Sequence, residues 1–222
     1  AILINSGNAN AFTGARGQQS VDAVCAAVAG ALDLPQGRVF TSSTGVIGEP
    51  LPHERIVAIV GDLARDLDAG GVADAARAIM TTDTFPKGAS ATLADGTRIA
   101  GIAKGSGMIA PDMATMLVYL FTDATVPAAV LQQALSSGLD ATFNAITVDS
   151  DTSTSDALIL AATGQGACAP ITDLDSDAGR DFVTALHGVM RDLAHQVVRD
   201  GEGATKFVEI AVTGAADAAD AH

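Results

Sequence analysis

Residues 104–121 read Lys-Gly-Ser-Gly-Met-Ile-Ala-Pro-Asp-Met-Ala-Thr-Met-Leu-Val-Tyr-Leu-Phe, and no other stretch constrains the fold so tightly. Gly105 and Gly107 free the backbone for turns closed to other residues, and Pro111 stops any regular element from continuing. From Met116 to Phe121 every side chain is apolar, and the run mixes aromatic, β-branched and straight residues. A run of that length without alternation predicts a strand covered on both faces. Any fold must therefore place a layer above and a layer below this strand. Thr115 is the last polar residue before it, at the junction of a Gly-rich loop and the rigid core. A nucleophile that must be both reachable and fixed suits that junction, although a Thr opening a strand is more often a strand former and nothing else.

The remaining elements alternate without a strict strand–helix–strand rhythm. Strands are predicted at Ala1–Asn5, Arg38–Ser42, Ala91–Leu93, Thr97–Ile102, Ile146–Val148, Leu158–Leu160 and Lys206–Val212, and helices at Ser20–Leu32, Pro50–Leu67, Val72–Met80, Pro127–Asn144 and Ala178–Arg199. Ser20 reads as the N-cap of the first helix, and Asp95-Gly96 as a hairpin turn. This mixture favours an α+β layered sandwich over a doubly wound sheet.

The chain has 222 residues, 48% of them hydrophobic, with no Trp, so its core must be built mainly from aliphatic side chains. The net charge of −14 opposes binding to phosphate backbones, and an anionic substrate would need local positive charge in its site. No apolar run reaches a membrane span. Cys25 and Cys168 are too few for a disulfide framework and suit a reducing, cytoplasmic setting. The chain opens directly on an apolar strand without Met, as if cut from a longer protein incomplete here at both ends.

The four His residues, at 53, 187, 195 and 222, form no nucleophile elbow and no metal spacing, so no metal is expected. Asp149 to Asp156 looks superficially like a calcium loop, but Thr154 stands at the turn Gly position and Leu160 at the closing Glu position. A hydrogen-bonded polar loop accounts for it better. The bond Ala114-Thr115 is of a kind that breaks when the Thr hydroxyl attacks the preceding carbonyl and water releases the ester. The new α-amine, with an unperturbed pKa of about 8, then serves as base for its own hydroxyl, and no His is needed. In Ser43 to Gly48, the Thr44 hydroxyl and the Gly45 N–H suit either an oxyanion hole or a plain strand-to-helix turn. Thr81-Thr82-Asp83-Thr84 reads as a helix end or a polar grip on a substrate, and Asp200 to Lys206 as a helix cap or a site, with Glu202 unexplained by capping.

Six blocks in this order resemble one family: Asn5 to Ala11, Ser43 to Gly48, Thr81 to Thr84, Lys104 to Leu117, Ile146 to Thr154, and Asp200 to Lys206. They are similar to the ornithine acetyltransferase, or ArgJ, family over nearly the whole chain. The resemblance implies a layered sandwich of the DmpA/ArgJ-like, N-terminal-nucleophile-like kind. It implies a precursor that cleaves itself into an α part (1–114) and a β part (115–222), with further chain at both ends that includes an Asn helping to close the site. It implies movement of acetyl from N2-acetyl-L-ornithine to L-glutamate through an acetyl-enzyme, in arginine biosynthesis. Thr115 is then the nucleophile, Ala114-Thr115 the cleaved bond, Thr44 and Gly45 the oxyanion hole, and Thr81, Lys104 and Glu202 substrate contacts. No cofactor is implied, although some members accept acetyl-CoA as donor, and the assembly would be a heterotetramer of two α and two β chains. Ser150 and Ser155 depart from the Gly and Asn of the family pattern. Two other readings remain: an aminopeptidase or amidohydrolase with a self-generated N-terminal nucleophile and water as acceptor, and an inert module in which Thr115 is structural.

Overall fold

The structure is a computed structural model and describes residues 1–110, 116–217 and 220. Strand β1 (Ile2–Asn8) pairs in parallel with β2 (Phe40–Val46), and helix α1 (Gly14–Leu32) connects them. Helices α2 (His53–Arg65) and α3 (Val72–Ala78) follow. The second sheet has the order β3-β4-β5-β6, with β3 (Lys87–Thr92), β4 (Arg98–Lys104) and β5 (Leu117–Thr122) antiparallel and β6 (Ala157–Ala162) parallel to β5. Helix α4 (Ala128–Ser136) lies in the β5–β6 crossover, and the long α5 (Asp177–Arg199) follows β6.

The apolar run after Thr115 is β5, and it is covered on both faces as its composition requires. Val118 and Leu120 point into a core completed by Phe182, Leu186, Met190, Leu193 and Val197 of α5. Leu117, Tyr119 and Phe121 point the other way, onto Ile2 and Ile4 of β1 and onto Ala76 and Ile79 at the end of α3. Leu3, between those two isoleucines, packs instead among Val24, Val28 and Val60 of α1 and α2. Strand alternation thus defines four layers: α4 and α5, the four-stranded sheet, the two-stranded sheet, then α1 and α2. This is the α+β sandwich. Among the described residues no helix is long and apolar enough to cross a membrane.

Several boundaries differ from the sequence reading. Helix α1 begins after Thr13, and Ser20 lies buried inside it, its Oγ donating to the Arg16 carbonyl and lying 2.9 Å from His53 Nδ1. The helix predicted over Pro127–Asn144 stops at Ser136. Gly138 follows, where a β-carbon would stand 2.6 Å from the His187 ring, and the chain later forms a short 3-10 turn, Phe143–Ala145. Ile146–Val148 is not a strand. Thr147 Oγ1 and the Val148 N–H both donate to the Ile109 carbonyl, a single-point clasp rather than a ladder. Lys206–Val212 also forms no strand: Val208, Ile210 and Val212 are exposed, and among the described residues no neighbouring strand supplies the hydrogen bonds that an extended segment needs. The Asp95-Gly96 hairpin forms as predicted, with Leu93 N–H donating to the Thr97 carbonyl.

Leu193 is fully buried at the junction of α5 with β4 and β5, and its Cδ1 comes so close to Gly101 that a β-carbon there would lie only 2.9 Å away. Leu193→Ala is expected to destabilise the fold by about 2–5 kcal/mol, read as a lower urea midpoint at unchanged slope. An unaltered midpoint would mean that α5 does not seal this face of the sheet.

Candidate functional site

Four segments converge where β4 ends. Lys104 is its last residue and is 2% exposed. Its ammonium donates to Thr81 Oγ1 at 2.9 Å and to Thr44 Oγ1 at 3.4 Å, and lies 3.7 Å from Asp83 Oδ2. Burial pushes the lysine below its ordinary titration range. Asp83 opposes that shift, Lys87 adds to it by repulsion, and Glu202 opposes it weakly.

Each partner arrives for a local reason. Thr44 sits fully buried on β2, and the next residue, Gly45, has a φ of +130°. A β-carbon at Gly45 would lie 2.3 Å from the Gly7 carbonyl carbon, so only glycine lets β1 and β2 approach this closely. β2 thus runs on through Thr44 and Gly45 to Val46, where the sequence suggested a loop. Past Lys104, Gly105 turns at a φ of +148° and its N–H donates to Asp83 Oδ1 at 2.6 Å. Ser106 follows, its hydroxyl 2.8 Å from that of Thr82 and its carbonyl accepting from the Glu202 N–H at 2.7 Å. Gly107 leaves room for the Glu202 carboxylate, whose Oε1 would stand 2.9 Å from a β-carbon there. Thr44, Gly45, Thr81, Lys104 and Glu202, five residues drawn from four distant parts of the chain, are therefore neighbours.

Beneath them lies a buried set of charges that sequence reasoning missed. Lys87 Nζ, fully buried, bridges Asp83 Oδ1 at 2.7 Å and Asp200 Oδ2 at 2.5 Å. Asp200 also accepts from the Thr84 N–H at 2.9 Å and from the Thr84 hydroxyl. Asp83 further accepts from the Thr81 N–H at 3.1 Å. Burial alone would raise the Asp83 carboxyl; the Gly105 amide, Lys87, Lys104 and the Thr81 amide together hold it below the usual carboxylate range. Two lysines and two aspartates make the set neutral overall, as burial demands. The one signal in the sequence was a Lys at the mouth of an otherwise small and apolar strand, four residues after an Asp.

Ala114 and Thr115 lie outside the described residues. The chain on their N-terminal side is held by Asp149, whose carboxylate accepts from the Met108 N–H at 2.6 Å and the Ile109 N–H at 3.0 Å. Burial would raise that carboxyl, but the amides of Met108, Asp151 and Ile109 bring it below its ordinary value. On the other side the Met116 N–H donates to Asp156 at 3.3 Å, and Leu117 stands in register opposite Lys104. The loop from Asp149 to Asp156 thus spends two of its carboxylates on backbone amides. Among the described residues no cluster of His, Cys, Asp or Glu could hold a metal. Cys25 and Cys168 are free thiols.

The fold and site define a four-layer α+β protein with a buried, hydroxyl-ringed lysine at the end of its central sheet. The chain matches the ArgJ family over residues 1–222 and belongs to it. It is 65% identical to the arginine biosynthesis bifunctional protein ArgJ of Ruegeria pomeroyi over 100% of this chain and 53% of that protein, and 55% identical to the ArgJ of Gluconobacter oxydans over 100% and 53%. The chain spans about half the length of the curated relatives it matches. Among solved structures it is similar to ornithine acetyltransferase from Mycobacterium tuberculosis complexed with ornithine, at 39% identity over 50% of this chain and 61% of that one, with a TM-score of 0.48.

Lys87→Met leaves Asp83 and Asp200 buried without their shared cation. The expected loss is about 3–5 kcal/mol of folding stability by urea titration, with Asp200→Asn on the same background recovering part of it. A midpoint within error of the parent would show that the bridge contributes nothing.

Proposed function

We propose that the full-length protein is a self-cleaving acetyltransferase that moves acetyl from N2-acetyl-L-ornithine to L-glutamate, in the cytoplasm, as a step of arginine biosynthesis. The observation that carries this reading is the register of Lys104 with Leu117: β5, which starts two positions after Thr115 in the sequence, begins beside a buried ammonium that donates to two threonine hydroxyls.

In this reading the Thr115 hydroxyl attacks the Ala114 carbonyl, an ester forms, and water hydrolyses it to leave a free carboxyl on Ala114 and a free amine on Thr115. The two parts, 1–114 and 115 onward, stay together because β4 and β5 flank the break and pair from Ile99–Thr122 to Lys104–Leu117. The Thr115 amine then takes the proton from its own Oγ as that oxygen attacks the acetyl carbonyl of the donor. The amide bond breaks, ornithine leaves with the proton on its α-amine, and the acetyl group remains on Thr115. The amine of glutamate attacks this ester, Thr115 Oγ recovers a proton, and acetylglutamate departs.

Thr44 and Gly45 serve as the oxyanion hole. Because Thr44 Oγ1 accepts from Lys104, its own hydrogen stays available to the developing alkoxide. Lys104 and the Thr81 hydroxyl meet the α-carboxylate common to donor and acceptor, which explains how an acidic protein accepts anions. Glu202, exposed beside Gly107, accepts from substrate N–H groups. No cofactor is required, and acetyl-CoA, the donor that some members of the family accept, would enter as a substrate. The cleaved halves associate further into a heterotetramer of two α and two β chains.

Mass spectrometry of the complete gene product is expected to show two fragments in the wild type, with one acetyl mass gained on the Thr115 fragment after exposure to N2-acetyl-L-ornithine. Thr115→Ala should give one uncut chain and no adduct. Thr44→Val is expected to lower kcat about 10²–10³-fold, the usual loss for one oxyanion donor. An acetyl adduct on any other residue, or acetate released equally with and without glutamate, would overturn the transferase reading.

A further inference from the structure

The two buried lysines differ in what they do with their protons. Lys87 makes direct ion pairs on both sides, to Asp83 and Asp200. Lys104 has only a longer one: Asp83 Oδ2 is 3.7 Å away, while its short contact goes to a neutral hydroxyl, Thr81 Oγ1 at 2.9 Å. A buried cation whose hydrogen bonds go to hydroxyls stays charged only if some carboxylate lies near enough to attract it, and stays available only if that carboxylate does not close on it. Asp83 has that placement because its other contacts prevent it from swinging closer. Its Oδ1 is occupied by the Gly105 N–H and Lys87, and its Oδ2 by the Thr81 N–H.

We propose that Asp83 is the positioning residue of the site, held off Lys104 by Lys87 and two backbone amides so that the Lys104 ammonium stays charged yet free to bind a substrate carboxylate. The inference rests on Lys104 being the substrate's carboxylate partner. Among the described residues, the charged groups around Lys104 fit this division. Lys87, from β3, repels it; Asp83, ahead of β3, attracts it; Glu202, after α5, attracts it weakly; Asp200, also after α5, acts on it through Lys87; Thr44 and Thr81 contribute neutral hydroxyls. If Asp83 closed on Lys104 as tightly as it does on Lys87, an incoming carboxylate would have to break a short ion pair. If Asp83 were absent, burial and Lys87 would both drive the proton off. The same lysine then loses its proton at lower pH, and carboxylate binding fails as pH rises.

The test uses the full-length, self-cleaved enzyme and its Asp83→Asn variant, which keeps the shape and removes the charge. For kcat/KM toward N2-acetyl-L-ornithine against pH, the alkaline fall in the variant is expected to move down by about one unit or more, a tenfold change in the lysine's proton affinity. At neutral pH the variant's KM should rise about tenfold or more, with kcat changed less. A purely structural Asp83 would lower yield and thermal stability and leave the alkaline limb in place, and that result overturns the proposal. The ¹⁵N shift of Lys104 Nζ in labelled full-length protein provides a second readout that needs neither catalysis nor a folded variant. An ammonium at neutral pH in the wild type supports the proposal, and a neutral amine overturns it. Should the protein transfer no acetyl while Asp83→Asn still lowers the Lys104 titration, the reaction reading fails and the positioning role stands.

Discussion

The Lys87 ammonium, shared by Asp83 and Asp200, is the contact on which the arrangement of the site depends. It joins three segments that no regular element connects: the turn after α3, the start of β3 and the end of α5. Asp200 stands at the C-terminal end of α5, the residue after Arg199, with its N–H donating back into the helix. The bridge therefore determines where the backbone goes next, to Gly201 and Glu202. Asp83, on the other side, sets Thr81 through its amide and Gly105 through another. One buried cation thus fixes the direction of two opposite walls. Exposed ion pairs of the same chain, such as Arg77–Asp74, lack that consequence, because water competes for both partners.

Charge buried at this depth is costly unless balanced, and here neutrality is reached only by the whole set. Lys87 and Lys104 against Asp83 and Asp200 leave no net charge, but the distances are unequal. The tight bonds hold the scaffold, and the one from Asp83 to Lys104 is the longest of the three. Neutral hydroxyls occupy the remaining directions around Lys104, and such groups exchange partners at little cost. The core provides the rigidity that makes this division hold. β5 is packed on both faces, α5 runs along one of them, and β4 carries Lys104 to the rim between them.

Much of the fold was legible because one kind of signal dominates it. The uninterrupted apolar run of β5 demanded two covering layers and has them, and the strong period of α5 placed its apolar stripe on the sheet. The failures share a cause. Lys206–Val212 has strand-like residues, and Ile146–Val148 too, yet a strand exists only where a neighbour pairs with it, and composition does not reveal neighbours. Ser20 looked like a cap because caps and buried helical hydroxyls use the same residue types; here its hydroxyl bonds the preceding turn. Gly138, just past α4, packs under the His187 ring, 49 positions on, a constraint that no local window contains.

The candidate residues that the structure brings together were legible in the sequence and the charges beneath them were hidden, and the difference is physical. Thr44, Gly45, Thr81, Lys104 and Glu202 sit in Gly-rich or hydroxyl-rich blocks, since a surface that grips a polar ligand needs donors and an unencumbered backbone. Lys87 sits in Phe85-Pro86-Lys87-Gly88, an unremarkable stretch, because a supporting charge needs only a partner, and Asp200 lies more than a hundred positions away. The sequence offered one trace of it. In a chain with 26 acidic residues and 12 basic ones, a lysine opens a strand otherwise made of Gly, Ala, Ser and Thr, four residues after an aspartate. Such a residue is retained in a core only where a carboxylate meets it, and once it is buried its partners are constrained as well. The position of Asp83 relative to Lys104 then follows from Lys87 and from the two amides that hold its other contacts.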